Sequence, residues 1–292
     1  MHRHISFASA LSLALITALL GFGPRANAAG KPHNGPELKS ASALVVDART
    51  GDVIYERDAT FVTPIASISK LMTALVVLDA RQPLDEVITL TADDRWQGKG
   101  AFSRLPIGEK FTRGELLRLA LMASENRASH SLARNYPGGI PGFVKAMNAK
   151  AKALGMTKTH FDDPSGLSNF NVSNAHDLAR LVSVASRDAT IREYSTLESF
   201  DVKLGKKRFT YRNTNLLVGR PDWDIVVQKT GFTNDAGECL VMQTMISERP
   251  VNMVFLNSFG KLTRTADARR VRKWLQARET PKVAQAGESA AQ

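Results

Sequence analysis

The chain has 292 residues, 43% of them hydrophobic, a formal net charge of +11 and one cysteine, Cys239. That length allows one large domain or two small ones with a substantial core. A single cysteine excludes an intrachain disulfide, so packing alone must hold the fold.

His2, Arg3 and His4 give a basic start, an apolar run extends from Ile5 to Phe22, and Ala26-Asn27-Ala28 has the small-x-small pattern of a signal-peptidase site. Residues 1–28 therefore read as an export signal cleaved after Ala28. An uncleaved anchor helix is the alternative, since the run is nearly long enough to span a bilayer. Pro24 and the cleavage pattern favour removal. A periplasmic location follows, with residues 29–37 as an N-terminal linker. Outside the cytoplasm the positive excess favours wall polymers or lipid headgroups. The basic residues are scattered and no nucleic-acid motif is present, so no nucleic-acid partner is expected.

From Ala41 an apolar strand, a turn at Arg49–Asp52 and a second strand predict a hairpin. After Pro64, residues from Ile65 to Asp79 place Leu71, Met72, Leu75 and Val76 at helical spacing. Short strand and loop pieces fill Arg81 to Thr112. Helical periodicity covers Gly114–Tyr136, Pro141–Met156 and Ser173–Arg187. Strands are expected near Asp224–Lys229, Glu238–Ile246 and Val251–Ser258, with a turn at Glu248-Arg249-Pro250. Cys239 falls in the second of these and reads as a buried, inert thiol. A last helix ends about Arg278; its Arg264, Arg269, Arg270, Arg272 and Lys273 read as a solvated face. Residues 279–292, rich in Ala, Gln, Glu and Pro, read as a disordered tail. Strands at both ends with helices between them predict a sheet whose first and last strands meet. The fold class is an α/β (α+β) sandwich, with an antiparallel sheet flanked by helices and a helical lobe, in one domain over residues 38–278.

Three strings carry chemistry: Ser67-Ile68-Ser69-Lys70, Ser124-Glu125-Asn126 and Lys229-Thr230-Gly231. Singly, each has an ordinary structural reading: a capped helix start, helix-terminating residues, a turn after a strand. Together and in this order they resemble the trio of serine acyl-transfer enzymes that use lysine as the base. Ser67 and Lys70, three apart at a helix start, project from one face. Lysine is a poor base at its free pKa, so burial and a neighbouring positive charge, for which Lys229 is the candidate, are expected to lower it. Ser124 would relay a proton to the leaving amine, and Asn126 would bind the substrate backbone. Lys229 and Thr230 would hold a substrate carboxylate, and Gly231 permits close backbone approach. The amide N–H groups of Phe232 and Ser67 would form an oxyanion hole.

With these strings, the chain resembles the low-molecular-mass penicillin-binding proteins of the D-alanyl-D-alanine peptidase group. The likeness runs from Leu38 to Arg278 and includes Asp47 and Gly51 in the early hairpin, Asn215-Leu216, and Gly231-Phe232-Thr233 leading into Ala236-Gly237. It also includes the loop His160–Ser168, then Asn171-Val172-Ser173 and Asp177-Leu178-Ala179. Within that loop the Asp162-Asp163 pair reads as a structural loop cap in preference to a support of the reactive groups. Lys31–Gly51 and Trp96–Arg127 look closest to the endopeptidase branch of the penicillin-binding protein 7 type. The resemblance implies a β-lactamase/DD-peptidase-like fold and hydrolysis of D-alanyl cross-links between peptidoglycan stem peptides, with β-lactams as covalent inhibitors of Ser67. It implies no cofactor and no metal. Glu125 departs from the glycine common in carboxypeptidases of the group. The tail lacks an apolar face for a headgroup layer, so no stable membrane anchor is expected, only loose association. The rival readings are a D-alanyl-D-alanine carboxypeptidase, a β-lactamase (disfavoured without an E-x-x-x-N string), and a non-catalytic wall-binding or β-lactam-sensing module. A metallopeptidase is disfavoured by the histidine spacing.

Overall fold

A computed structural model describes residues 35–98 and 102–279. The expected signal peptide, most of the expected linker and residues 280–292 of the expected tail lie outside the described residues.

Strands β1 (Ser40–Asp47) and β2 (Val53–Arg57) form the expected hairpin. Its turn is closed at Gly51, φ +82°, whose N–H donates to the Asp47 carbonyl at 2.9 Å. The Asp47 carboxylate accepts from the N–H groups of Arg49 and Thr50. The short strand β3 (Thr63–Pro64) leads into a 3-10 turn at Ala66–Ile68 and helix α1 (Ser69–Asp79). A small hairpin, β4 (Val87–Thr89) and β5 (Lys110–Thr112), precedes α2 (Arg113–Met122), α3 (Asn126–Arg134) and α4 (Gly139–Ala153). Strand β6 (Val172–Ser173) pairs with β3, and α5 (Ala175–Ala185) and α6 (Ala189–Thr196) follow. A separate hairpin joins β7 (Ser199–Leu204) to β8 (Lys207–Arg212). The chain then enters β9 (Asp224–Thr233), β10 (Gly237–Ile246), β11 (Arg249–Ser258) and α7 (Thr263–Glu279).

The main sheet has the order β2-β1-β11-β10-β9 and is antiparallel throughout. As expected, the first and last long strands meet, β1 against β11, with Ser42 opposite Leu256 and Val46 opposite Asn252. Both faces are covered, so the strands read as continuous apolar runs while their side chains still alternate. On β10, Cys239 and Val241 enter the core beneath the helical lobe. Leu240 and Met242 point the other way, to Ala268, Val271 and Leu275 of α7. The Cys239 thiol is buried, donates to the Ala236 carbonyl and is pushed up to about 11 by burial, so it is inert at neutral pH.

The predicted segment Gly114–Tyr136 is two helices, broken at Ala123–Glu125. Its periodicity looks continuous because α2 and α3 both bury Leu and Ala in one core. The last hairpin turns at Ser247-Glu248, both with positive φ, so Arg249 and Pro250 already belong to β11. Arg264 is not part of a solvated face. It is half-buried and paired with Glu238 at 2.6 Å. No described helix is long and apolar enough to cross a membrane.

Candidate active site

Ser67 lies in the 3-10 turn immediately before α1, preceded by Ala66 at φ +47°, a backbone region that L-residues enter only at a cost. Two glycines pack against this turn. A β-carbon at Gly166 would stand 1.8 Å from the Ala66 carbonyl oxygen. One at Gly231 would stand 2.9 Å from the Ile65 carbonyl oxygen and 3.1 Å from the Ser67 nitrogen. The close approach that Gly231 permits is thus first of all that of the protein's own backbone.

Lys70, one turn into α1, is wholly buried, with Nζ 2.8 Å from Ser67 Oγ, 2.8 Å from Asn126 Oδ1 and 2.6 Å from the Ser165 carbonyl. Two of these partners only accept; the third, a hydroxyl, also donates. A neutral amine satisfies all three by giving its two protons to Asn126 and Ser165 and turning its lone pair to Ser67. Burial lowers Lys70 to about 7, against the opposing pull of the Asp163 and Glu125 carboxylates. Of the two expected causes burial acts, while the charge of Lys229 does not, Lys229 being itself pushed well down.

The Ser165 carbonyl is held by Asp163, whose carboxylate accepts from the N–H groups of Ser165, Gly166 and Ser168 and from the Ser165 hydroxyl at 2.6 to 2.9 Å. Asp163 therefore caps the loop whose next residue, Gly166, packs beneath Ala66.

Ser124 and Asn126 stand at the break between α2 and α3. Ser124 adopts φ +58°, and the Glu125 N–H closes back on the Leu119 carbonyl at 3.1 Å. Asn126 then opens α3 with its Oδ1 on Lys70. The Ser124 hydroxyl is half-buried and makes no hydrogen bond to a described residue; its link to Lys70 and Ser67 runs through Asn126, two residues on. Glu125 is buried, accepts from the Ser103 hydroxyl and has its carboxyl pushed up by burial.

The third string lies on β9, the sheet's edge strand, one side of which is left facing the Ser67 turn. Lys229 is wholly buried, donates to the Thr230 carbonyl at 2.9 Å and is pushed well down by burial, then by the charges of Lys70 and Arg264. Thr230 Oγ1 is 2.6 Å from Thr214 Oγ1. Arg264 on α7 donates to the carbonyls of Gly231 at 2.6 Å and Cys239 at 3.0 Å, tying β9 to β10 behind the site. Phe232 is exposed, beside this strand's approach to Ser67.

Ser67, Lys70 and Asn126 are thus joined by direct hydrogen bonds, and Gly231 brings β9 against them. Asp163 has the loop-capping part expected of the Asp162-Asp163 pair. Sequence reasoning missed Ser165, Thr214 and Arg264 as supports. The Asp163-Pro164-Ser165-Gly166 turn chemistry was the available signal for the first; Arg264 and Thr214 had none.

The sequence profile of the D-alanyl-D-alanine carboxypeptidase family matches residues 27–260. A D-alanyl-D-alanine endopeptidase of Pseudomonas aeruginosa is 50% identical over 268 residues, covering 91% of this chain and 86% of that protein. One from Escherichia coli is 48% identical over 280 residues, covering 94% and 89%. The crystal structure of a penicillin-binding protein from Listeria monocytogenes in its cefotaxime-bound form superposes with a TM-score of 0.72 at 30% identity, covering 82% of this chain and 97% of that one. The fold, the order of the three strings and these similarities agree: the chain belongs to the D-alanyl-D-alanine carboxypeptidase family of serine peptidases.

Proposed function

We propose that the protein is a penicillin-binding serine endopeptidase that hydrolyses D-alanyl cross-links between peptidoglycan stem peptides in the periplasm. The observation that carries this reading is the buried Lys70 amine, at about 7, lying 2.8 Å from the Ser67 hydroxyl. A base poised near neutral pH and in hydrogen-bond reach of a hydroxyl activates it as a nucleophile.

In this reading Ser67 Oγ bonds to the carbonyl carbon of the donor D-alanine as its proton passes to Lys70. The N–H groups of Ser67 and Phe232 hold the oxygen that becomes negative. The bond from carbon to the leaving nitrogen then breaks, and the proton returns to that nitrogen by way of Ser124. Asn126, already fixed by Lys70, offers its amide N–H to the donor backbone. Lys229 and Thr230 take the carboxylate next to the leaving amine. Water entering the same position releases the donor from Ser67. A β-lactam meets the same groups, and its strained amide acylates Ser67.

The endopeptidase branch is supported by the names of the 50% and 48% identical relatives. Purified cross-linked muropeptide dimers test it. Conversion to monomers is expected, whereas release of terminal D-alanine with dimers left intact would make the protein a carboxypeptidase.

A further inference from the structure

A second cleft of about 290 Å³ shares Asn126 with the reactive centre and is lined also by Arg95, Trp96, Phe102 and Arg127. Asn126 belongs to both regions, with its Oδ1 on Lys70 and the residue itself in the cleft lining. A substrate with its carbonyl at Ser67 has two directions to leave. In the reading above the leaving amine and its carboxylate run along β9, so the donor stem peptide runs past Asn126 into this cleft.

The lining specifies a ligand. Arg95 is exposed and its side chain carries no ion pair to any described residue. Arg127 is half-buried and spends Nη1 on the Leu105 carbonyl, while its buried Nε has no hydrogen-bond partner. Asp94, also on the wall, does not cancel these cations, because Arg134 binds its carboxylate at 2.7 and 3.1 Å and the Thr91 N–H caps it. Glu125 does face Arg127 and Arg104, so Arg95 is the cation least countered. Two aromatic rings share the lining with these cations. Trp96 is braced on His130 at a ring distance of 5.8 Å, and Phe102 is 78% exposed. Glu125 fixes this wall by accepting from Ser103.

We propose that the cleft binds the third residue of the donor stem peptide and selects a diamino acid whose side chain ends in a carboxylate as well as an amine. The carboxylate sits on Arg95 and Arg127, and the hydrocarbon stem lies on Trp96 and Phe102. A side chain ending in an amine alone, as in lysine, meets two guanidinium groups and is repelled. This inference rests on the DD-peptidase reading, and its test separates the two.

The substrates are synthetic cross-linked peptide dimers, identical except for diaminopimelate or lysine at the third position of the donor stem. The wild-type protein is expected to cleave the diaminopimelate dimer with kcat/KM about tenfold higher or more, the effect of one charge-assisted hydrogen bond. Arg95→Gln should bring the ratio toward one, and Arg95→Lys should keep most of it. Equal rates on the two dimers, or an undiminished ratio in Arg95→Gln, would overturn the proposal while leaving the peptidase reading intact. Failure of the wild-type protein to cleave either dimer or to be acylated by benzylpenicillin would overturn both.

Discussion

Gly166 packs so closely beneath Ala66 that a β-carbon there would stand 1.8 Å from the Ala66 carbonyl oxygen, next to the Ser67 N–H. Two unusual backbone segments therefore fix each other, the turn with Ala66 at φ +47° and the loop with Gly166 at φ +82°. Gly166→Ala is expected to destabilise the protein by more than about 1 kcal/mol, from the positive φ alone. The clash with backbone adds to this and displaces Ser67, so penicillin acylation should fall as well. Thermal unfolding and stopped-flow acylation check both; an unchanged acylation rate would show that the loop does not position Ser67.

Acylation should depend on pH through Lys70. Its folded pKa of about 7 lies below the ordinary 10.5, and only the neutral amine accepts the Ser67 proton. The rate should rise with pH through about 7 and level off above it. The Asp163 carboxylate holds Lys70 up, so in Asp163→Asn the rising limb should move to lower pH. A limb that stays in place or moves upward would contradict the assigned influence.

The same shift has a stability consequence of defined sign. Between about pH 7 and 10.5 the unfolded chain keeps the Lys70 proton and the folded chain does not, so this residue's contribution to stability rises across that window. Lys229, also pushed down, adds with the same sign. Tm measured against pH should therefore climb more steeply here for the wild type than for Lys70→Met; parallel curves would count against a buried neutral amine.

Arg264 supports β9 from behind, bonding the Gly231 and Cys239 carbonyls and pairing with Glu238. Its removal leaves those acceptors and a carboxylate of raised pKa without their donor. Arg264→Gln is expected to cost about 1–3 kcal/mol of stability and to slow acylation. Urea unfolding together with acylation kinetics tests it, and an undisturbed midpoint would refute the role.

Much of this molecule is legible in its sequence, for reasons that differ by element. Strands β1, β10 and β11 announce themselves because both faces of the sheet are covered there, leaving apolar runs such as Leu240–Met242, while β2 is marked by the Gly51 turn before it. The break at Ala123–Glu125 is hidden, since neither Gly nor Pro marks it and Ser124 takes the positive φ itself. Helix α6 has only eight residues, and β8 exposes five of its six, so neither carries an apolar period strong enough to read. In the site, Ser67, Lys70 and Lys229 are recognisable by residue type. The Ser165 carbonyl is not, because every residue has one and only the fold decides which faces Lys70.

The central claim is that Ser67 is the acyl-accepting nucleophile and Lys70 its base. Incubation with benzylpenicillin, followed by intact-mass measurement and peptide mapping, tests it most directly. One penicilloyl group per chain on the peptide carrying Ser67 is expected, absent in Ser67→Ala and formed about 100- to 10,000-fold more slowly in Lys70→Met. No adduct, or one mapped to another residue, would contradict the account.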